Sequence, residues 1–322
     1  MNFDLDDDER ALQQGIRDVC KRLFPMERVR GLEDAGGIDR TLWHELGGSG
    51  VFSLRVPESD GGVGLGLTAA ALVFEELGRA LVPGPVISTH LAAMLIEGAR
   101  GGERVVGLIE RDRAPLLVGQ LPALDTLAVL DTKGVWLVDP RHLGAIPVAQ
   151  PLDPLTPMYL VEHLPKGEKI AGPKEAERWR RDGAVLAAAM LVGVAAACTE
   201  AAVAYAKERK QFGRAIGSFQ AVKHICADML VREEVARVAT YAAAVLCDGN
   251  GAGDAERAVN GARLLAGDAA LTNGKASIQV HGGMGYTWEV DAHLYLKRAV
   301  LLSTRFGKSD ELAETVAASL TS

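Results

Sequence analysis

Apolar residues first recur at helical spacing as Leu12, Ile16, Val19, Cys20 and Leu23, behind Asp6, Asp7 and Asp8 and ahead of Pro25. That pattern predicts an amphipathic helix with an acidic start that stops at the proline. A short second helix carries Trp43 and Leu46 and breaks at Gly47-Gly48, and Val56-Pro57-Glu58 with Gly61, Gly62 and Gly64 reads as a loop. A further helix over 67–81 contains Glu75-Glu76-Leu77-Gly78-Arg79 and ends near Pro83 and Pro85. From 102 to 169 the pattern changes to short runs rich in Val, Leu and Ile, at 105–109, 116–118, 127–130, 135–138 and 158–161. Gly, Asp and Pro separate them, as in a small β domain. Long helical patterns then return at 184–207, at 219–246 with a stop at Gly249-Asn250-Gly251, at 254–279 ending on His281-Gly282-Gly283, at 291–302 and at 309–320. The predicted fold class is multidomain α+β, with an N-terminal α-helical domain (1–101), a small middle β domain (102–170) and a C-terminal helical bundle (171–322). No internal repeat is evident.

Composition narrows the function classes. The 322 residues suffice for two or three domains, and 48% hydrophobic with 24% charged residues fits a soluble globular protein. Net charge is −7 with no block of Lys or Arg, which disfavours nucleic acid and anionic membranes as partners. The acidic first residues are unlike an export signal, so a cytoplasmic location is expected. Cys20, Cys198, Cys226 and Cys247 form no CxxC pair and read as reduced thiols; no metal site is expected. The apolar run 184–198, interrupted only by Gly193, is shorter than the roughly 20 residues of a membrane span and reads as a buried helix.

Two constellations carry chemistry. The first is Arg209-Lys210-Gln211-Phe212-Gly213, followed by Phe219-Gln220, at the exit of the Ala-rich helix. An Arg there presents a planar, permanently charged fork of five donors suited to a diphosphate. Gln211 and Gln220 add neutral donors and Phe212 a flat face. The plainer alternative is an Arg that caps a helix C-terminus. The second is Gln279-Val280-His281-Gly282-Gly283-Met284-Gly285-Tyr286-Thr287, whose glycines let the backbone turn tightly and approach a ligand. Its plainer alternative is a helix C-cap and turn.

In this order and spacing the two resemble the C-terminal signature of the acyl-CoA dehydrogenase family. The resemblance extends to Trp43, to Val56-Pro57-Glu58 with Gly61-Gly62-Val63-Gly64, and to Glu75-Glu76-Leu77-Gly78-Arg79-Ala80. It implies an α,β-dehydrogenation of an acyl-CoA thioester, in which a carboxylate takes the α-proton, FAD takes the β-hydride, and an electron-transfer flavoprotein or equivalent accepts the electrons. It also implies FAD shared across a subunit interface, with the ADP half held by Arg209, Gln211, Phe212, Gln220, Gln279, Gly282 and Gly283.

The pattern departs from the family at the chemistry itself. Aligning Gly307 with the family glycine puts Phe306 where the catalytic Glu belongs, and phenylalanine accepts no proton. An alternative base position on the preceding long helix falls at Gly183, beside Asp182, which more simply reads as part of a solvated helix N-terminus. The middle domain lacks the Thr-Glu-Pro and Gly-Ser-Asp stretch of catalytic relatives, and Trp136-Leu137-Val138 is the nearest match to their flavin-facing strand. With these losses the chain resembles the shorter, base-lacking subunit of heteromeric α2β2 actinobacterial acyl-CoA dehydrogenases of sterol side-chain degradation. That implies a longer partner subunit carrying the base, one FAD per heterodimer, and no catalytic residue here. The competing readings are a homo-oligomeric dehydrogenase using Asp182, a flavin monooxygenase on the same fold, and a scaffold subunit that holds no cofactor.

Overall fold

A computed structural model describes residues 5–249 and 254–320; of the predicted stop after the second long helix, Asn250-Gly251 lies outside the described residues. Helix α1 (Asp7–Leu23) has Asp7, Asp8 and Glu9 in its first turn and Lys21 and Arg22 in its last, matching the macrodipole at both ends. α2 (Met26–Gly31) follows, and α3 (Arg40–Gly48) is capped by the Asp39 carboxylate, which accepts from the Thr41 and Leu42 amides. α4 (Leu67–Arg79) and α5 (Val86–Ala92) complete the N-terminal helices. The expectations omitted α2 and α5, because six or seven residues are too few to display a helical period.

The described residues form two compact units, each discontinuous in sequence. One comprises Asp18–Ala70 and Val82–Gly183 and holds both larger sheets. Its strands are β1 (Val106–Glu110), β2 (Leu117–Gly119), β3 (Thr126–Asp131), β4 (Gly134–Val138), β5 (Gly144–Pro147), β6 (Met158–His163) and β7 (Glu168–Ala171). The four-stranded sheet has the order β1-β3-β4-β7, parallel only between β1 and β3; the three-stranded sheet has the antiparallel order β2-β6-β5. β3 is buried along its whole length and forms the centre of this unit's core. β5 and β7 were not predicted: both are largely exposed, and neither has an apolar run to mark it.

The other unit comprises Met1–Arg17, Ala71–Leu81 and Ala184–Ser322. It contains most of α6 (Pro173–Glu208), with α7 (Gln220–Cys247), α8 (Ala255–His281), α9 (Ala292–Ser303) and α10 (Ser309–Ser319). α6 begins at Pro173, not at 184. Proline is tolerated in a first turn, and the charged opening turns carry no apolar run, so the run marks only the most buried stretch of a longer helix. Its 18-residue apolar window is 89% buried.

Two reciprocal glycines let α4 and α6 approach closely. A Cβ on Gly193 would lie 1.9 Å from the Glu75 carbonyl oxygen, and one on Gly78 would lie 2.1 Å from that of Met190. Around this crossing runs a buried ionic network. Glu75 accepts from Arg237 Nε (3.1 Å) and from the Tyr241 hydroxyl (2.7 Å). Glu76 accepts from both Nε and Nη2 of Arg17 (2.9 and 2.7 Å), and Arg237 also holds Glu233 at 2.6 Å. Burial first, and then the Glu75 charge, raise the Tyr241 hydroxyl above its ordinary value.

Candidate functional site

α6 ends at Glu208 and the chain returns at once in a hairpin, β8 (Lys210–Gln211) and β9 (Arg214–Ala215). Gln211 pairs with Arg214 and Lys210 with Ala215, and the Ile216 amide donates to the Arg209 carbonyl at 2.8 Å. The two-residue loop, Phe212-Gly213, takes φ of 52° and 78°. A tight hairpin that follows the right-handed strand twist needs positive φ at both positions. Glycine adopts it freely; for phenylalanine it costs roughly 1–2 kcal/mol. Phe212 is nonetheless 92% exposed, with its ring edge-on to Phe219 at 6.1 Å. The Arg214 guanidinium lies over the Phe219 ring, 4.1 Å from its centroid. Gln220 opens α7 directly after this ring and is exposed.

Charge is distributed unusually here. Arg17, Arg40, Arg55, Arg79 and Arg237 each reach a carboxylate. Arg209, Lys210 and Arg214 are exposed and have no acidic partner among the described residues. In a chain of net charge −7 these neighbouring cations make a local positive field at the hairpin.

The second loop leaves from the same end of this unit. Tyr205, near the end of α6, stacks on His281, the last residue of α8, at 4.4 Å, and His281 Nδ1 donates to the Ser277 carbonyl at 2.7 Å. Gln279 is exposed, and residues Gly282–Tyr286 form one 3-10 turn. The three glycines have different duties. Gly282 takes φ 60°; Gly285 is a packing residue, since its Cβ would meet the Ile278 carbonyl oxygen at 2.5 Å; Gly283, like Gly282, faces open space. Beyond them Tyr286 and Trp288 are 81% and 57% exposed, with the Lys297 ammonium 4.5 Å from the Trp288 ring centre.

The seven predicted binding residues therefore lie in or directly beside two turns, the hairpin after α6 and the turn after α8, with Gln220 opening α7 and Gln279 in the last turn of α8, and the Tyr205–His281 contact draws the ends of α6 and α8 together. Arg214 and Trp288, exposed beside these residues, are not singled out by the sequence pattern, whereas Tyr286 belongs to the second constellation. Arg214 is visible in the sequence only once Phe212-Gly213 is read as a two-residue hairpin loop, which makes it the cross-strand partner of Gln211. Unpaired cations beside glycines that leave backbone open fit a diphosphate with an attached flat group, the donor set that FAD's ADP half requires.

Phe306 sits 8% exposed with φ 55°, followed by Gly307 at φ 127°. Arg263, 2% exposed, closes the end of α9 by donating from Nη2 to the carbonyls of Leu302 (3.2 Å), Ser303 (3.4 Å) and Arg305 (2.7 Å). Burial pulls the Arg263 guanidinium down to about 10. Position 306 is thus a packed hydrocarbon with no proton acceptor.

Asp182 corrects the expectation of a solvated helix start. It lies inside α6, 1% exposed, with Oδ2 2.8 Å from Arg55 and Oδ1 3.0 Å from Arg181. It lines a small cleft of about 10 Å³, room for about one water, with Phe52, Arg55, His90, Arg178 and Trp179 among its walls. His90 Nδ1 donates to the Val51 carbonyl at 2.9 Å, and burial pulls this imidazole down to about 4, with Arg55 adding to the effect.

Residues 6–100 match the acyl-CoA dehydrogenase N-terminal domain and residues 181–321 the C-terminal domain. Acyl-CoA dehydrogenase IpdE2 of Mycobacterium tuberculosis is 36% identical over 87% of this chain and 87% of its own length. Acyl-CoA dehydrogenase FadE34 of the same organism is 36% identical over 84% of this chain, a match that spans 41% of FadE34. Among solved structures, the ChsE4-ChsE5 complex from Mycobacterium tuberculosis contains a chain of the same fold, with a TM-score of 0.82 at 22% identity over 100% of this chain and 99% of that one. The chain belongs to the acyl-CoA dehydrogenase family, oxidoreductases that act on CH–CH bonds.

Proposed function

We propose that this chain is one subunit of a heteromeric FAD-dependent acyl-CoA dehydrogenase and holds the ADP half of FAD at the interface, while a longer partner subunit carries the catalytic Glu. The observation that carries this reading is the hairpin, which presents exposed, unpaired Arg209 and Arg214 beside a strained, 92% exposed Phe212. Arg209 directs its fork at the diphosphate, Gln211, Gln220 and Gln279 add neutral donors, and Gly282 and Gly283 leave backbone open to it. When bound, FAD supplies the acceptor for the β-hydride of the acyl-CoA. This chain offers no base for the α-proton, because Phe306 occupies that position; its part is to bind, orient and shield. A three-part division of labour, 1–101, 102–170 and 171–322, belongs to the same proposal. So do an α2β2 assembly, a sterol-derived acyl-CoA substrate and an electron-transfer flavoprotein as acceptor. The kinship with IpdE2 and the fold shared with a chain of a heteromeric complex support it.

Co-expression with the longer subunit, followed by flavin counting, tests the reading. One FAD per two chains is expected, with little flavin on this chain alone; stoichiometric flavin and turnover without a partner would sink it. A second reading, a homo-oligomeric dehydrogenase with Asp182 as base, is favoured by the position of Asp182 in a cleft. Against it, each Asp182 oxygen is already engaged by a guanidinium. Turnover by the chain alone, abolished in Asp182→Asn, would establish that alternative.

A further inference from the structure

We infer that Arg214 is a second cation of the diphosphate grip, preset by its stack on Phe219. The inference rests on the reading of the hairpin as the holder of FAD's ADP half, and adds to it a residue that the motif does not single out.

The register of the hairpin carries the argument. Side chains alternate faces along a strand, and directly opposed residues of an antiparallel pair share a face. Arg209 and Gln211 are two apart, and Gln211 pairs with Arg214. Arg209, Gln211 and Arg214 are thus placed on one face, and Lys210 with Ala215 on the other. The Ile216 amide to Arg209 carbonyl bond extends the ladder and keeps Arg209 in register. One small face therefore presents two guanidinium groups and a carboxamide.

The stack decides how Arg214 is used. The Arg214 guanidinium sits over the Phe219 ring, 4.1 Å from its centroid, so the ring steadies one side of it while the side chain stays exposed to an anion. It has no acidic partner among the described residues, so no internal ion pair has to break first. Phe219 also meets Phe212 edge-on at 6.1 Å, so the same ring steadies the hairpin tip. A diphosphate carries charge on two phosphoryl groups. Arg209 and Arg214, on one face of a short hairpin, are matched to it in number and sign. Lys could supply the charge but not the stack or the fork.

The test uses the full chain without a partner and asks only about binding. Titration with ADP and with adenosine, by calorimetry or by phosphorus NMR, compares wild type with Arg214→Leu, Arg214→Lys and Phe219→Leu, each checked for an unchanged unfolding temperature. Wild type should bind ADP more tightly than adenosine. Arg214→Leu should weaken ADP binding at least tenfold and leave adenosine binding unchanged. Arg214→Lys should fall between, and Phe219→Leu should weaken ADP while retaining the charge. ADP binding equal to wild type in both Arg214 variants overturns the inference and leaves the grip reading standing. Failure of the wild-type chain to prefer ADP over adenosine overturns the grip reading, and Arg214's part with it.

Discussion

Among the described residues, phenylalanine occupies the left-handed region twice, at Phe212 and Phe306, and different things hold the two. Phe306 is buried in a segment that Arg263 fixes by three carbonyls, so packing opposes its backbone strain. Phe212 has one edge contact and is otherwise in solvent, so the fold itself gains little from its ring. Strain that local packing does not repay is a mark of functional positions. Asn-Gly suits this hairpin loop far better than Phe-Gly. Phe212→Asn should therefore leave the isolated chain as stable as wild type or more stable, by up to about 1 kcal/mol, while lowering the flavin retained with a partner. Thermal unfolding and flavin absorbance read the two effects separately. His90 offers a second prediction at this scale. Its folded value of about 4 lies below the ordinary 6.5, so the unfolded chain binds the extra proton between those values. The stabilisation is complete above pH 6.5 and is lost as pH falls through that window towards 4. Each unit of displacement is worth about 1.4 kcal/mol, so a loss on the order of 3 kcal/mol should accumulate. Arg55 and Asp182 act on this imidazole in opposite senses. His90→Asn, which keeps a donor for the Val51 carbonyl, should flatten the acid limb of a plot of unfolding temperature against pH.

At the scale of elements, the α4–α6 crossing depends on two missing side chains. A Cβ at Gly193 would sit 1.9 Å from a backbone oxygen, and backbone cannot swing aside as a side-chain tip can. Gly193→Ala should destabilise by about 2 kcal/mol or more despite alanine's better helix propensity. Gly261 on α8 is the control: nothing lies within 4 Å of its Cβ position, so Gly261→Ala should stabilise by about 0.5–1 kcal/mol. Denaturant midpoints of the two variants should move in opposite directions. Arg237 is the hub of the neighbouring network, and Arg237→Met would leave buried Glu233 without its cation and Glu75 with only Arg79 at 3.5 Å, at about 3–5 kcal/mol. These elements also show what sequence makes legible. The long helices and the strongly apolar strands were readable because burial on one face, or on all, writes a period or a run. α2 and α5 are too short for a period, and β5 and β7 too exposed for a run. The start of α6 was missed because its first turns are charged, and Asp182 was misread for the same reason: Arg180-Arg181-Asp182 reads as surface until Arg55, distant in sequence, arrives as a partner. The residues proposed as the grip stand out as motifs, but the alignment of Arg214 with Arg209 depends on strand register, which the motif does not display.

On the scale of the whole molecule, a net charge of −7 and an exposed pair of arginines without carboxylates are best reconciled by an anion that comes with a partner. A scaffold subunit would need the exposed aromatic surface of Phe212, Tyr286 and Trp288 for contact, but would have no use for cations left unpaired beside it. Arg209→Ala separates these roles in the assembled complex. Loss of a charge-assisted hydrogen bond costs about 1.5–3 kcal/mol, so FAD affinity should fall roughly ten- to a hundredfold while the two chains still co-elute. Arg209→Lys should fall between, because it keeps the charge but not the planar fork. Raising the salt concentration should narrow the gap between wild type and Arg209→Ala, since an exposed charge acts through solvent and is screened over about 8 Å at physiological ionic strength. Flavin fluorescence released on dilution measures the affinity, and size-exclusion chromatography measures the assembly. Full flavin retention by Arg209→Ala in an intact complex would identify the chain as scaffold. Flavin loss with the complex intact would assign to this subunit a share in holding the partner's cofactor, the role its unpaired hairpin cations best fit.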